Sequence, residues 1–177
     1  MKRLALAIVY VAIGLFLVFV IGGYVLPGTS HVERQATIAA PPEKVFAIAS
    51  DLRRSGEWSP WFGLDPALAV SYEGTGPGVG QKMSWRSDKP EVGDGSQTVT
   101  GYTENQKVDW ALDFGDMGQA TASMALTAEG GGTRVVWSFD TNLNSMFERW
   151  LGLMFDRWIG ADYERGLANL KALAEKQ

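Results

Sequence analysis

The chain has 177 residues, 16 basic and 20 acidic, for a formal net charge of -4, with one histidine and no cysteine. The missing cysteines exclude disulfides, thiolate metal sites and thiol nucleophiles, and a lone His31 at the near edge of the folded part gives no basis for a Ser-His-Asp triad or a histidine-rich centre, so neither a metal nor a cofactor is expected. Charges of both signs are interspersed without a basic stripe to neutralise phosphates, so nucleic acid is not an expected partner.

The first element is an uncharged run of twenty-three residues, Leu4 to Leu26, behind Lys2 and Arg3. As a helix it extends roughly 34 Å against a hydrocarbon core of roughly 30 Å, which is long enough to cross. It exceeds the apolar stretch of a secretory signal, and Gly22-Gly23-Tyr24 departs from the small-residue cleavage pattern, so we read it as an uncleaved anchor through residues 4–26. Lys2 and Arg3 precede the run, and His31-Val32-Glu33-Arg34 beyond it carries no positive excess. That asymmetry predicts a single pass with a cytoplasmic N-terminus and an extracytoplasmic remainder, periplasmic in a Gram-negative cell. The chain then divides into residues 1–30, anchor and short linker, and residues 31–177, one folded domain of ordinary size.

After Pro27-Gly28, residues 31–38 have the composition of an edge strand. Pro41-Pro42-Glu43 opens a short helix to about Ser50, because proline suits the first turn, Glu43 complements the helix dipole, and Val45, Phe46 and Ala49 form one apolar face. A second helical turn over residues 51–57 leads into Trp58-Ser59-Pro60-Trp61. Apolar residues then alternate in successive runs: Val70 and Tyr72; Met83 and Trp85; Val99 and Gly101; Val108, Trp110, Leu112 and Phe114; Met124 and Leu126; Val135, Trp137 and Phe139. Turn-forming segments at 74–80, 88–95, 104–106, 115–118 and 129–132 separate them as in an antiparallel meander. The glycine-rich stretch 74–80 lacks a Gly-Lys-Ser/Thr ending and precedes a strand, so it is a hairpin turn and not a phosphate loop. From Ser145 to about Glu175 the period returns to 3.6, giving a helix of about 45 Å with a stripe of Phe147, Leu151, Met154, Phe155, Trp158, Ile159, Tyr163, Leu167, Leu170 and Leu173. The expected class is α+β, with an antiparallel sheet wrapped on the terminal helix.

Several motifs in this order and spacing carry a resemblance: Arg34, then Ile38-Ala39-Ala40-Pro41-Pro42-Glu43-Lys44-Val45-Phe46, Trp58-Ser59-Pro60-Trp61, Gly76-Pro77-Gly78-Val79-Gly80, Val108-Asp109-Trp110, and Gly132-Thr133-Arg134-Val135-Val136-Trp137. Over nearly all of residues 32–173 the chain resembles the polyketide cyclase/dehydrase-like branch of the START and pollen-allergen-like (SRPBCC) superfamily. The resemblance implies a helix-grip fold, a seven-stranded curved antiparallel sheet folded around a long C-terminal helix with a hydrophobic cavity between them. It implies members that bind lipids, quinones, sterols or polyketides.

The candidate cavity walls are aromatic. Met83, Trp85, Trp110, Phe114, Met124, Trp137 and Phe139 on the strands would oppose Met154, Phe155 and Trp158 on the helix, either lining a ligand cavity or filling the core. Trp58 and Trp61 would stand at the mouth or form a lid over the core. Gly152, Gly160 and Gly166 mark close packing or retained space along the terminal helix. Asp162 breaks the helix stripe, and points inward as a desolvated acid or sits at the rim paired with Arg165 or Arg134. Asp109 and Asp113 belong to the outer, solvated face. No catalytic residue is assigned. The expected function is a membrane-anchored binding protein for a hydrophobic small molecule or lipid. The alternatives are a cyclase- or dehydratase-type enzyme using the same cavity, and a protein-interaction module with a filled cavity.

Overall fold

The computed structural model describes residues 2–90 and 92–176. Helix α1 (Lys2–Val25) holds the uncharged run, and only Gly23 of it is buried. Three residues later β1 (Thr29–Ile38) begins, two residues ahead of the sequence-based start, because Thr29 and Ser30 already pair with Asn142 and Thr141. Extended Pro41 precedes α2 (Pro42–Ala49), which buries Val45, Phe46, Ile48 and Ala49. The second helical turn is a 3₁₀ helix, Leu52–Glu57, capped by Asp51, whose carboxylate accepts from Arg53 N at 3.0 Å.

Six strands follow: β2 (Ala69–Glu73), β3 (Lys82–Arg86), β4 (Gly95–Thr103), β5 (Lys107–Asp113), β6 (Gln119–Glu129) and β7 (Gly132–Asn142). All seven form one antiparallel sheet in the order β1-β7-β6-β5-β4-β3-β2, so the first strand closes on the last. The glycine-rich stretch is the connection between β2 and β3, with Gly74, Gly78 and Gly80 at positive φ. Asp109 and Asp113 lie off the concave face as expected. Cross-strand pairing sets the inward alternation: Trp110 faces Val99 and Ala122, and Met124 faces Val108 and Trp137.

Helix α3 (Met146–Ala174) starts at a capping box. Ser145 Oγ accepts from Glu148 N at 3.1 Å, while Glu148 Oε2 accepts from Ser145 N at 3.1 Å and Asn144 N at 2.6 Å. These carboxylate bonds satisfy backbone donors that the first turn leaves free. The C-terminal half buries Tyr163, Gly166, Leu167, Leu170 and Ala174, each large apolar side chain contributing about 1.5–3 kcal/mol. Arg34 fastens β1 to the middle of the helix, donating from Nε to Glu164 Oε1 at 2.8 Å and from Nη1 to Asp156 Oδ1 at 2.9 Å. Gly160 leaves room for that guanidinium, Gly152 lies against Leu143, and Gly166 lies against Trp137 and Pro60. The helix glycines therefore serve close packing.

Candidate functional site: an aromatic cavity under the terminal helix

Between the concave face of the sheet and α3 lies a cavity of about 730 Å³. Its inner wall is packed. Trp58, Met83, Trp110, Trp137 and Phe139 all touch it yet are no more than 7% exposed. Tyr163 from α3 stacks on Trp137 with centroids 3.8 Å apart and planes 10° from parallel, and Trp58 meets Trp137 edge-on at 5.2 Å. Trp61 abuts the same pair, 5.9 Å from Trp137 and 6.2 Å from Tyr163. Such offset and edge contacts add to the area that large rings bury. Burial pushes the Tyr163 phenol far above its ordinary range, with Asp140 adding to the rise. A phenol so placed stays neutral.

The outer wall is looser. Trp85 and Phe114 pack edge-on at 6.1 Å, and with Trp61, Leu112, Phe155 and Ile159 they are half-buried because their free surface faces the cavity. Exposed Pro90, Asp116, Met117, Gly118 and Asn144 form the rim. Filling and lining thus divide between two sets of the same residue type.

Ten of the thirteen sequence-derived candidates border this space: Trp58, Trp61, Met83, Trp85, Trp110, Phe114, Trp137, Phe139, Phe155 and Asp162. Three do not. Met124 is fully buried between neighbouring strands. Met154 and Trp158, 36% and 50% exposed, point away from the sheet. Their stripe is wider than one buried arc, and only its edge of Phe155, Ile159 and Tyr163 reaches the cavity. Trp58 is a buried lid, not a residue of the mouth, and its carbonyl accepts from Asn169 Nδ2 at 3.1 Å. Tyr163 was legible only as a stripe position, since nothing in its spacing distinguishes a cavity residue from a core one.

Asp162 sits at the border of the cavity, where it accepts from Trp61 Nε1 at 3.2 Å and pairs with Arg165, while Arg134 bonds Gln35 instead. The other lining carboxylates are Asp116 on the exposed rim and Glu148. Glu148 is already committed to the capping box, whose Ser145 and Asn144 amides hold its carboxyl below the usual range. The indole N–H groups of Trp58, Trp110 and Trp137 are buried without a hydrogen-bond acceptor and do not reach the open space. The cavity can therefore solvate apolar surface well and offers little to move a proton. Among the described residues no cluster of His, Asp or Glu is arranged to hold a metal ion.

A family model described as polyketide cyclase / dehydrase and lipid transport matches residues 29–175. No curated protein matches. Solved structures share the fold at low identity. A protein of Rhizobium leguminosarum is 17% identical with a TM-score of 0.63, over 84% of this chain and 96% of its own. The di-domain ARO/CYC StfQ from the steffimycin biosynthetic pathway is 13% identical with a TM-score of 0.64, over 84% of this chain and 52% of its own. Aha1 from Colwellia psychrerythraea, solved as a dimer, is 19% identical with a TM-score of 0.55, over 82% of this chain and 96% of its own.

Proposed function

The chain belongs to the polyketide cyclase/dehydrase and lipid transport family, and from that membership we propose that it is a membrane-anchored binding protein holding an apolar small molecule of lipid, quinone or polyketide type. The observation that carries this reading is the half-buried aromatic wall of Trp61, Trp85, Phe114 and Phe155 around about 730 Å³ of space. Apolar side chains left uncovered inside a fold lose contacts that a ligand can restore. The anchor is α1, the single described helix long and apolar enough to cross a membrane. Charge asymmetry supports a cytoplasmic N-terminus and a domain of residues 31–177 on the opposite side.

An enzyme of cyclase or dehydratase type needs a positioned proton donor and acceptor inside the cavity. Asp162 has partners on both oxygens, and the Tyr163 hydroxyl points to Ser138 O at 3.5 Å. Binding without turnover fits this set better. The full chain, extracted in mild detergent, should co-purify with an apolar molecule detectable by native mass spectrometry. Brominated stearic acid should quench its tryptophan emission by contact, and Trp85→Ala with Phe114→Ala should weaken that quenching about tenfold, as loss of two aromatic contacts predicts. A preparation with neither co-purifying molecule nor quenching would overturn the reading.

A further inference from the structure

A helix that packs against a sheet normally turns polar residues outward. The first half of α3 does the opposite. Beyond the arc that meets β1 it presents Phe147, Met154 and Trp158, 63%, 36% and 50% exposed, with Leu151 half-buried among them. At 100° per residue these four share an arc of about 60°.

The flank of that arc is built into the anchor. Trp150 stacks on Phe19 at 6.2 Å, and its Nε1 donates to Phe19 O at 3.0 Å. Arg149 Nη1 donates to Gly23 O at 3.0 Å. Gly22 and Gly23 form the notch, since a side chain at either position would collide with Trp150 or Met146. Phe19 lies six residues before the end of α1, about 9 Å along its axis. Were α3 held clear of the bilayer, the part of α1 free to enter would end near Val18. Leu4 to Val18 extends only about 22 Å, short of a hydrocarbon core of roughly 30 Å. The full run becomes available only if the first turns of α3 enter with it.

We propose that the N-terminal half of α3 lies in the bilayer interface beside α1, with Phe147, Leu151, Met154 and Trp158 at the boundary between headgroups and acyl chains. The inference rests on α1 spanning the membrane, as in the function proposed above. Lipid is the occupant because the arc continues the uncovered apolar surface of α1, and because Tyr24 and Trp158 are of the type enriched at such boundaries. Exposed Arg157, on the same turns, is placed for headgroup phosphate. Phe155, which borders the cavity, stands one turn on from Leu151 on the same side of α3, so the cavity adjoins the outward arc. The cavity therefore opens beside the membrane, and an apolar molecule enters it from the leaflet without crossing bulk water.

The chain has no cysteine, so single cysteines placed in the full-length protein report one position each. Phe147→Cys and Trp158→Cys would carry an environment-sensitive fluorophore in phosphatidylcholine vesicles containing lipids spin-labelled near the carbonyl. Val11→Cys in α1 and Glu104→Cys in the β4–β5 turn are the controls. The expected result is blue-shifted, lipid-quenched emission at 147 and 158, quenching by deeper spin labels at 11, and water-like, unquenched emission at 104. Quenching at 11 with water-like emission at 147 and 158 overturns the interfacial helix and leaves the anchor intact. Absence of quenching at all four positions overturns both. Blue-shifted emission at 147 and 158 that ignores the spin-labelled lipid and disappears when the protein is diluted in excess lipid assigns the face to a second copy, and overturns the proposal.

Discussion

Trp137 shows at the residue scale how little freedom the inner wall has. It is stacked on Tyr163, met edge-on by Trp58, and approached by Gly166 of α3. A Cβ at position 166 would come within 2.7 Å of Trp137 and 3.1 Å of Pro60, and neither a triply packed indole nor a proline ring yields easily. Alanine gains about 1 kcal/mol of helix propensity, but overpacking costs about 1–3 kcal/mol, so Gly166→Ala should be net destabilising, by about 1 kcal/mol, in urea unfolding of the full chain. Unchanged stability would show that the wall repacks. Asp162 calls for a different expectation. Asp162→Asn removes the ion pair with Arg165 and leaves the Trp61 bond possible, so stability should change by less than about 1 kcal/mol and apolar-probe affinity should hold. Loss of a turnover in the wild type through this one change would replace the binding reading with the enzymatic one. The stacking of Tyr163 and the bond from Trp61 to Asp162 could not be read from spacing, because a helical stripe fixes an angle and not what stands opposite it, whereas the Arg165 pair, three residues on along the same helix, could.

The elements themselves were far more legible. Pro42 in the first turn of α2, the hairpin glycines and Ser145 ahead of Glu148 each determine a local conformation by backbone chemistry, and each element stands where those residues put it. The outward arc of Met154 and Trp158 was not legible, since an amphipathic pattern reports that a face avoids water without saying whether protein or lipid covers it. The caps carry a pH consequence. Backbone amides hold the Glu148 carboxyl low, Arg34 does the same for Asp156, and Lys171 with the Ala39 amide does so for Glu175. A carboxyl depressed in the folded state stabilises fully above the unfolded value and loses that contribution as pH falls through the folded one. Denaturation midpoints should therefore be flat from neutral pH to about 5 and fall below about 4.5. Glu148→Gln should lower the neutral-pH midpoint and make the acid decline shallower. A decline of unchanged steepness would remove the cap from the account.

At the scale of the whole molecule the sequence resemblance and the architecture agree on seven antiparallel strands and the long helix, because seven paired strands leave a concave face that one amphipathic helix must cover. Whether that face retains a cavity depended on which indoles pack and which stand free, a matter of side-chain volumes across several strands. For the anchored chain, alkaline carbonate should leave the protein in the membrane fraction, and protease added on the extracytoplasmic side should digest the domain. Release of an intact chain would refute the anchor, and an N-terminus beyond residue 26 would return α1 to the status of a cleaved signal. The link between α1 and β1 also sets a limit on how such a protein works. Only Leu26, Pro27 and Gly28 intervene, Gly28 O accepts from Leu143 N at 2.8 Å, and Gly23 O accepts from Arg149. A flexible leash of tens of residues lets a domain search a volume and meet targets at a tunable effective concentration. Three pinned residues, spanning at most about 10 Å, allow no such search. Cargo would have to arrive and depart by lateral diffusion in the leaflet or be collected by a carrier that comes to the membrane, and lengthening the link should change delivery distance without changing affinity.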